Sequence, residues 1–198
     1  MLLNLESPTF ENGGTIPQKY GYKKENLSIP LKISEIPEGT KSLALIMDDP
    51  DAMAAVGKVW VHWVLWNISP NTTEIPENSI PENSIEGKTD FNEIGYGGPA
   101  PPDKEHTYIF KLYALDTTLD LNQGCTKIQV EENMKNHIMT EVINGGPKRL
   151  TGSGITKHHD IPLGVREPFS EVRNDPDRRR INEASRNLVA KRAKFARN

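Results

Sequence analysis

The sequence predicts a mainly β domain over residues 1–150, on the strength of three segments dense in apolar, β-branched and aromatic residues. Lys41–Met47 is a short apolar run that ends at acidic residues and a proline, the pattern of a buried strand entering a loop. Val59–Ile68 carries Trp60, Trp63 and Trp66 among β-branched neighbours. Both of its faces are apolar, which predicts a central strand packed on two sides. Thr107–Leu115 is the third strong strand. Weaker strands are expected at Leu2–Leu5 and at Leu27–Ile33, the latter on a sheet edge because Pro30 cannot donate to a ladder.

One helix is signalled. Thr126 and Gln129 have capping-box spacing, so each can satisfy one of the free N–H groups that open a helix. Val130, Met134, Ile138 and Val142 then recur every four residues as one apolar stripe, and Gly145-Gly146-Pro147 ends it. The pentapeptide IPENS occurs twice, at 75–79 and 80–84, too short a period for a solenoid and expected as a surface-loop insertion.

Charge divides the chain near residue 150. Residues 1–150 hold 13 Lys+Arg against 21 Asp+Glu, a net −8, whereas residues 151–198 hold 11 against 6, a net +5. All arginines but Arg149 lie beyond that point. Residues 151–198 therefore read as a basic C-terminal extension, solvated and partly helical or disordered, with Ile181, Ala184, Leu188 and Phe195 as a narrow apolar stripe. The alternative use of such a segment is contact with nucleic acid or an acidic surface, and that attraction weakens steeply with salt.

Several classes are disfavoured. No stretch approaches the roughly 20 apolar residues that span a bilayer. The start, Met1-Leu2-Leu3-Asn4, has neither a basic n-region nor a long apolar core, so no secretory signal is expected. Cys125 is the single cysteine, which excludes an intrachain disulfide and a cysteine-based zinc site and suits a cytoplasmic location.

Reactive side chains collect in three places: Asp48-Asp49-Pro50-Asp51-Ala52, Trp60-Val61-His62-Trp63, and Gly95–Pro102 followed by His106-Thr107-Tyr108. Strand periodicity puts Trp60 with His62 on one face and His106 with Tyr108 on another. If both strands share a sheet, one pocket holds two imidazoles and a phenol. Gly97 and Gly98 let backbone N–H groups approach a ligand without an intervening Cβ, and the prolines stiffen that loop. Such donors suit a phosphate or carboxylate, and an adjacent Asp fixes a histidine's tautomer and favours its protonated form. Taken singly, each residue has a plainer use: a histidine on an apolar strand as a satisfied core residue, the tryptophans as core, the aspartates as a turn.

Taken together, the segments resemble the phosphatidylethanolamine-binding protein family, in its bacterial and archaeal branch of Raf-kinase-inhibitor-like proteins of the YbhB/YbcL type. The matching text is Ser42-Leu-Ala-Leu45, Asp49-Pro-Asp-Ala52, Trp60, His62-Trp-Val64, Asn67-Ile68, Gly95-Tyr-Gly-Gly-Pro99, Pro101-Pro102, His106, Tyr108 and Leu112-Tyr-Ala-Leu115, with Gly14-Thr-Ile-Pro17 and Tyr20 upstream. The resemblance spans roughly residues 1–145. It implies a large antiparallel sheet packed on a smaller one with peripheral helices, and a pocket for phosphate-like anions at the sheet end.

Carried over, Asp49, Asp51, Trp60, His62, Gly98, Pro101, His106 and Tyr108 line or shape that pocket, with His62 and His106 as the anion donors. It also implies a cis peptide within Asp48–Pro50. The chain departs from the family pattern at Met53 (usually proline, so a looser loop is expected), at Ala100 (usually glycine or cysteine) and at Thr107 (often arginine). The family's closing strand is not recognisable in Gly145–Arg149.

The expected function is non-catalytic binding of a phosphate-type anion, with no cofactor and no metal, since none of the three segments sets a Ser or Cys nucleophile beside a base. By resemblance the partner is a kinase or protease that the protein inhibits. The alternative is a metal-assisted or acid/base hydrolase built on the same His and Asp residues.

Overall fold

The computed structural model describes residues 3–144 and the backbone of 147–148. Met1, Leu2, Arg149 and the basic extension 151–198 lie outside the described residues, and with them the predicted tail contacts.

Three antiparallel sheets form among the described residues. Strands β1 (Asn4–Glu6), β2 (Leu31–Ser34), β3 (Ser42–Asp49), β4 (Trp60–Ile68), β5 (Glu74–Ile75), β6 (Ile85–Glu86), β7 (His106–Thr107), β8 (Ile109–Leu115), β9 (Ile138–Asn144) and β10 (Pro147–Lys148) alternate with two helices, α1 (Met53–Val56) and α2 (Lys127–Met134). The large sheet has the order β6-β4-β3-β8-β9, the smaller one β1-β2-β5, and β7 pairs with β10. This is the large-sheet-on-small-sheet architecture, mainly β, that the resemblance implied.

Alternation along the central strands builds two cores. Leu43, Leu45 and Met47 of β3 pack with Trp63, Leu65 and Leu112 against Leu5, Leu31, Ile33 and Ile75 of the small sheet. Ala44 and Ile46 face the other way, with Val64 and Trp66, and are covered by Val130 and Met134 of α2. The expectation that β4 is buried on both faces holds for that physical reason. No helix among the described residues is long and apolar enough to cross a membrane.

The pairing of β3 with β4 slips twice. Between Met47↔Trp63 and Asp48↔Val61, β4 contributes one extra residue, His62. Between Leu43↔Ile68 and Leu45↔Leu65 a second irregularity falls at Asn67, whose φ of 54° is left-handed. Its side chain donates to the Leu119 carbonyl and accepts from the Leu119 N–H, which holds the turn of the chain there.

Three expectations need correction. The helix does not run to Val142: α2 stops at Met134, and Ile138 and Val142 belong to β9. A repeat of four is also a multiple of two, and the β-branched density of 138–143 resolves the ambiguity in favour of a strand. Thus β9, placed before the glycines rather than after them, forms the outer strand of the large sheet beside β8, and β10 follows to pair with β7. Finally, β2 is the middle strand of its sheet, because Pro30 lies just outside it and removes no ladder bond. The IPENS copies share a turn, with Asn78 and Asn83 both left-handed; Ile75 at the start of the first copy is buried in β5, and the rest of both copies forms largely exposed loop, as expected.

Candidate functional site

Strand β3 carries its two terminal aspartates to opposite sides. Asp48 points to the α2 side, where Lys111 and Lys127 donate to its Oδ2 at 2.6 and 2.7 Å. Asp49 points to the other side, where its Oδ1 accepts from the Ala52 N–H at 3.1 Å and its Oδ2 accepts from His106 Nδ1 at 2.7 Å. Asp51 does not reach a histidine. Its Oδ2 accepts from the Thr107 N–H at 2.7 Å, and that bond holds its carboxyl below the ordinary aspartate value. The Asp-Pro-Asp loop is therefore fastened to β7 at two points, and Met53 in place of proline does not free it. No cis peptide occurs among the described residues, so the expected one within Asp48–Pro50 is absent.

The extra residue of β4 is His62, and the bulge turns its ring toward the cluster between the two sheets, edge-on to Tyr108 at 5.1 Å. Its Nδ1 lies 2.6 Å from the Gly97 carbonyl oxygen, which can only accept, so Nδ1 carries the proton and Nε2 the lone pair. Burial pushes the His62 pKa down against the pull of that carbonyl and of Asp49, leaving a neutral ring.

His106 has the opposite charge state. Nδ1 donates to Asp49 and Nε2 donates to Asp103 Oδ1 at 2.9 Å, and two carboxylate acceptors require both nitrogens to be protonated. Burial opposes that charge, but Asp49 and Asp103 together outweigh it and raise the pKa above the ordinary histidine value. The Tyr108 hydroxyl is buried without a hydrogen bond of normal geometry, and burial foremost, then Asp49, keeps it protonated.

The glycine loop has a different task from the one expected. The Gly97 N–H donates to the His62 carbonyl at 2.8 Å, and the Gly98 N–H donates to Asn26 Oδ1 at 2.8 Å, so neither amide is offered to a ligand. What needs glycine is close packing: a Cβ on Gly98 would strike the Tyr20 carbonyl oxygen, and one on Gly97 would lie 2.5 Å from the Phe91 ring. The loop is also tied to the N-terminal segment by Tyr22 N–H to the Pro99 carbonyl and by the Tyr96 hydroxyl to the Tyr20 carbonyl, both at 3.0 Å.

A cavity of about 270 Å³ opens over this floor. Asp49, Trp60, His62 and His106, all predicted, line it with Ala52, Ala55 and Val56 from the α1 side and Ala100 and Pro102 from the glycine-proline loop. Asp51, Gly98, Pro101 and Tyr108 are not in the lining: Asp51 holds the Thr107 N–H, Gly98 packs on the Tyr20 carbonyl and Tyr108 lies edge-on to His62. Sequence reasoning missed Tyr22, Lys23, Phe91 and Asp103. Tyr22 stacks on Phe91 with ring centroids 3.9 Å apart, and Phe91 meets His62 edge-on at 5.6 Å. These come from loops without periodicity, so no pattern signalled them; Asp103 alone was findable, three residues before His106. The result is a small aromatic-walled cavity with one fixed imidazolium and the exposed Lys23 contributing to its wall. A larger groove of about 630 Å³, lined mostly by residues 4–12, contains none of the predicted site residues.

Comparison with known proteins agrees with this fold. The family model described as phosphatidylethanolamine-binding protein matches residues 6–146. A UPF0098 protein of Methanothermobacter thermautotrophicus is 45% identical over 144 residues, covering 70% of this chain and 93% of the relative. Another, from Chlamydia muridarum, is 41% identical, with 69% and 92% covered. Among solved structures, the phosphatidylethanolamine-binding protein homologue CT736 of Chlamydia trachomatis superposes with a TM-score of 0.71 at 36% identity, covering 76% of this chain and 99% of its own. YbcL of E. coli, described as a new member of the mammalian PEBP family, gives 0.70 at 26%, with 76% and 100% covered.

Proposed function

Since the chain belongs to the phosphatidylethanolamine-binding protein family, we propose that its cavity binds phosphate-type anions, as a phosphate monoester or a phospholipid headgroup, without transforming them. The observation that carries this reading is the His106 imidazolium, fixed from one side by the buried Asp49 and lining a cavity of about 270 Å³. A buried cation with a fixed N–H is a strong donor to an anion, because a charge-assisted hydrogen bond is worth about twice a neutral one. His62 is the second donor. Its Nε2 lone pair must take up a proton to serve, so an arriving anion draws that proton in.

The lining contains no Ser, Thr or Cys, so no hydroxyl or thiol of those residues is set beside a base. The cavity walls are apolar and aromatic, which suits the organic part of an ester beside the anion.

Calorimetric titration with inorganic phosphate and phenyl phosphate tests the reading on wild type, His62→Ala and His106→Gln. Binding is expected in the wild type, about tenfold or more weaker in each variant, from the loss of a buried charged or protonatable donor. Equal affinity in all three overturns the site. Steady turnover of p-nitrophenyl phosphate that disappears with His106→Gln overturns the non-catalytic part.

A further inference from the structure

His106 has two N–H groups, and both already have carboxylate partners. Those partners are unlike. Asp49 is buried, and it is committed again to the Ala52 N–H, so it belongs to the frame. Asp103 has a side chain 50% exposed and lies just after Pro101-Pro102, in the segment that leads into β7. An outside anion can reach a His106 N–H only by replacing one of them, and Asp103 is the one that water can receive at low cost.

We propose that Asp103 is a built-in anion that occupies the ligand's place on His106 Nε2 and swings away when a phosphate-type anion binds, so that it sets the affinity of the site. This rests on the anion-binding reading above. Nε2 has one N–H, so the Asp103 carboxylate and an external oxyanion compete for a single donor. The ring itself does not follow Asp103 outward. Asp49 holds Nδ1, and β7 is anchored by the Thr107 N–H bond to Asp51 and by its pairing with β10. The exchange is therefore a side-chain rotation in the segment after the prolines, with the imidazolium as its fixed post. The same contact serves the empty protein, since it satisfies the second N–H of a ring that is only 1% exposed.

The size of the effect follows from competition. Apparent affinity is the intrinsic affinity multiplied by the fraction of molecules in which Nε2 is free. An ion pair with one half-exposed partner is worth about fivefold in equilibrium constant, so removing Asp103 tightens binding by about that factor. Loss of a negative charge near any anion site also raises affinity through the long-range field, but that contribution fades above physiological salt, where the Debye length falls to a few ångströms.

The test is titration of the full chain with inorganic phosphate at about pH 6, at about 0.15 M and about 0.5 M KCl, comparing wild type, Asp103→Ala, Asp103→Asn and His106→Gln. Asp103→Ala is expected to bind about fivefold tighter at both salt concentrations, with Asp103→Asn between it and wild type, because the amide oxygen still accepts but without charge. Unchanged affinity in both Asp103 variants, or a gain that vanishes at high salt, overturns the latch while binding lost in His106→Gln leaves the anion site standing. Absence of phosphate binding in wild type and Asp103→Ala alike overturns the latch together with the site.

Discussion

Asp48 and Asp49 are neighbours in β3 and serve opposite faces of the sheet: Asp49 holds His106 Nδ1 at 2.7 Å, and Asp48 holds Lys111 and Lys127 at 2.6 and 2.7 Å. One strand end therefore anchors the His106 side of the candidate site on one face and the start of α2 on the other. Asp48→Ala leaves two lysines beside a buried gap. Breaking a buried ion pair costs about 3–5 kcal/mol, and the low end applies because both lysines keep some contact with water. Urea denaturation is expected to show a loss of about 3 kcal/mol with phosphate affinity little changed. An affinity loss as large as that of a His106 variant would place Asp48 in the site.

Protonation of His106 stabilises the fold in a definite pH window. Its folded pKa is raised above the unfolded value, so its contribution is complete below about pH 6.5 and is lost as pH rises through the folded pKa. The melting-temperature gap between wild type and His106→Gln is expected to be larger at about pH 5.5 than at about pH 9. A gap that widens toward alkaline pH contradicts the double carboxylate pairing.

His62 gives the opposite linkage. Burial lowers its pKa in the free protein, and an anion beside it would favour the protonated ring, so the proposed binding is expected to take up a proton. Sulfate keeps a constant charge across the range, so its affinity isolates the protein's titration. Between about pH 6.5 and 5, where His106 is already charged, sulfate is expected to bind more tightly as pH falls. His62→Gln should flatten that slope; a slope unchanged by the substitution removes His62 as a donor.

Gly98→Ala tests the close approach of the loop to the N-terminal segment. The added Cβ collides with the Tyr20 carbonyl oxygen, a backbone atom that cannot yield by a rotamer change. Overpacking of this kind costs about 1–3 kcal/mol, read as a fall in the urea midpoint. A fully wild-type midpoint would mean that Tyr20 and Gly98 do not touch.

Thr126→Ala should cost about 1 kcal/mol without altering anion affinity, since Thr126 caps α2 and Gln129 Oε1 accepts from the Thr126 N–H at 2.8 Å.

The capping box was legible because its two members are three residues apart and act locally. So were the three central strands of the large sheet, β3, β4 and β8, whose apolar density exceeds what a loop carries. The end of α2 was not, because Ile138 and Val142 satisfy a helical and a strand period alike. At the site, the residue types of His62, His106 and Asp49 could be read, but their roles could not. Whether a histidine is neutral or charged depends on partners such as Gly97 and Asp103, which are set by folding. The amides of Gly97 and Gly98 were misassigned for the same reason, since glycine permits close packing as readily as ligand contact. The aromatic wall of Tyr22 and Phe91 arises from two loops far apart in sequence, a long-range meeting that no local pattern announces.

The central claim, that His62 and His106 hold a phosphate-type anion in this cavity, is tested most directly by a crystal structure of the full chain grown with tungstate, a tetrahedral oxyanion visible by its anomalous signal. A peak is expected in the cavity within hydrogen-bond distance of His106, on the side that His62 shares. A saturated crystal with tungstate bound elsewhere and this cavity empty would contradict it.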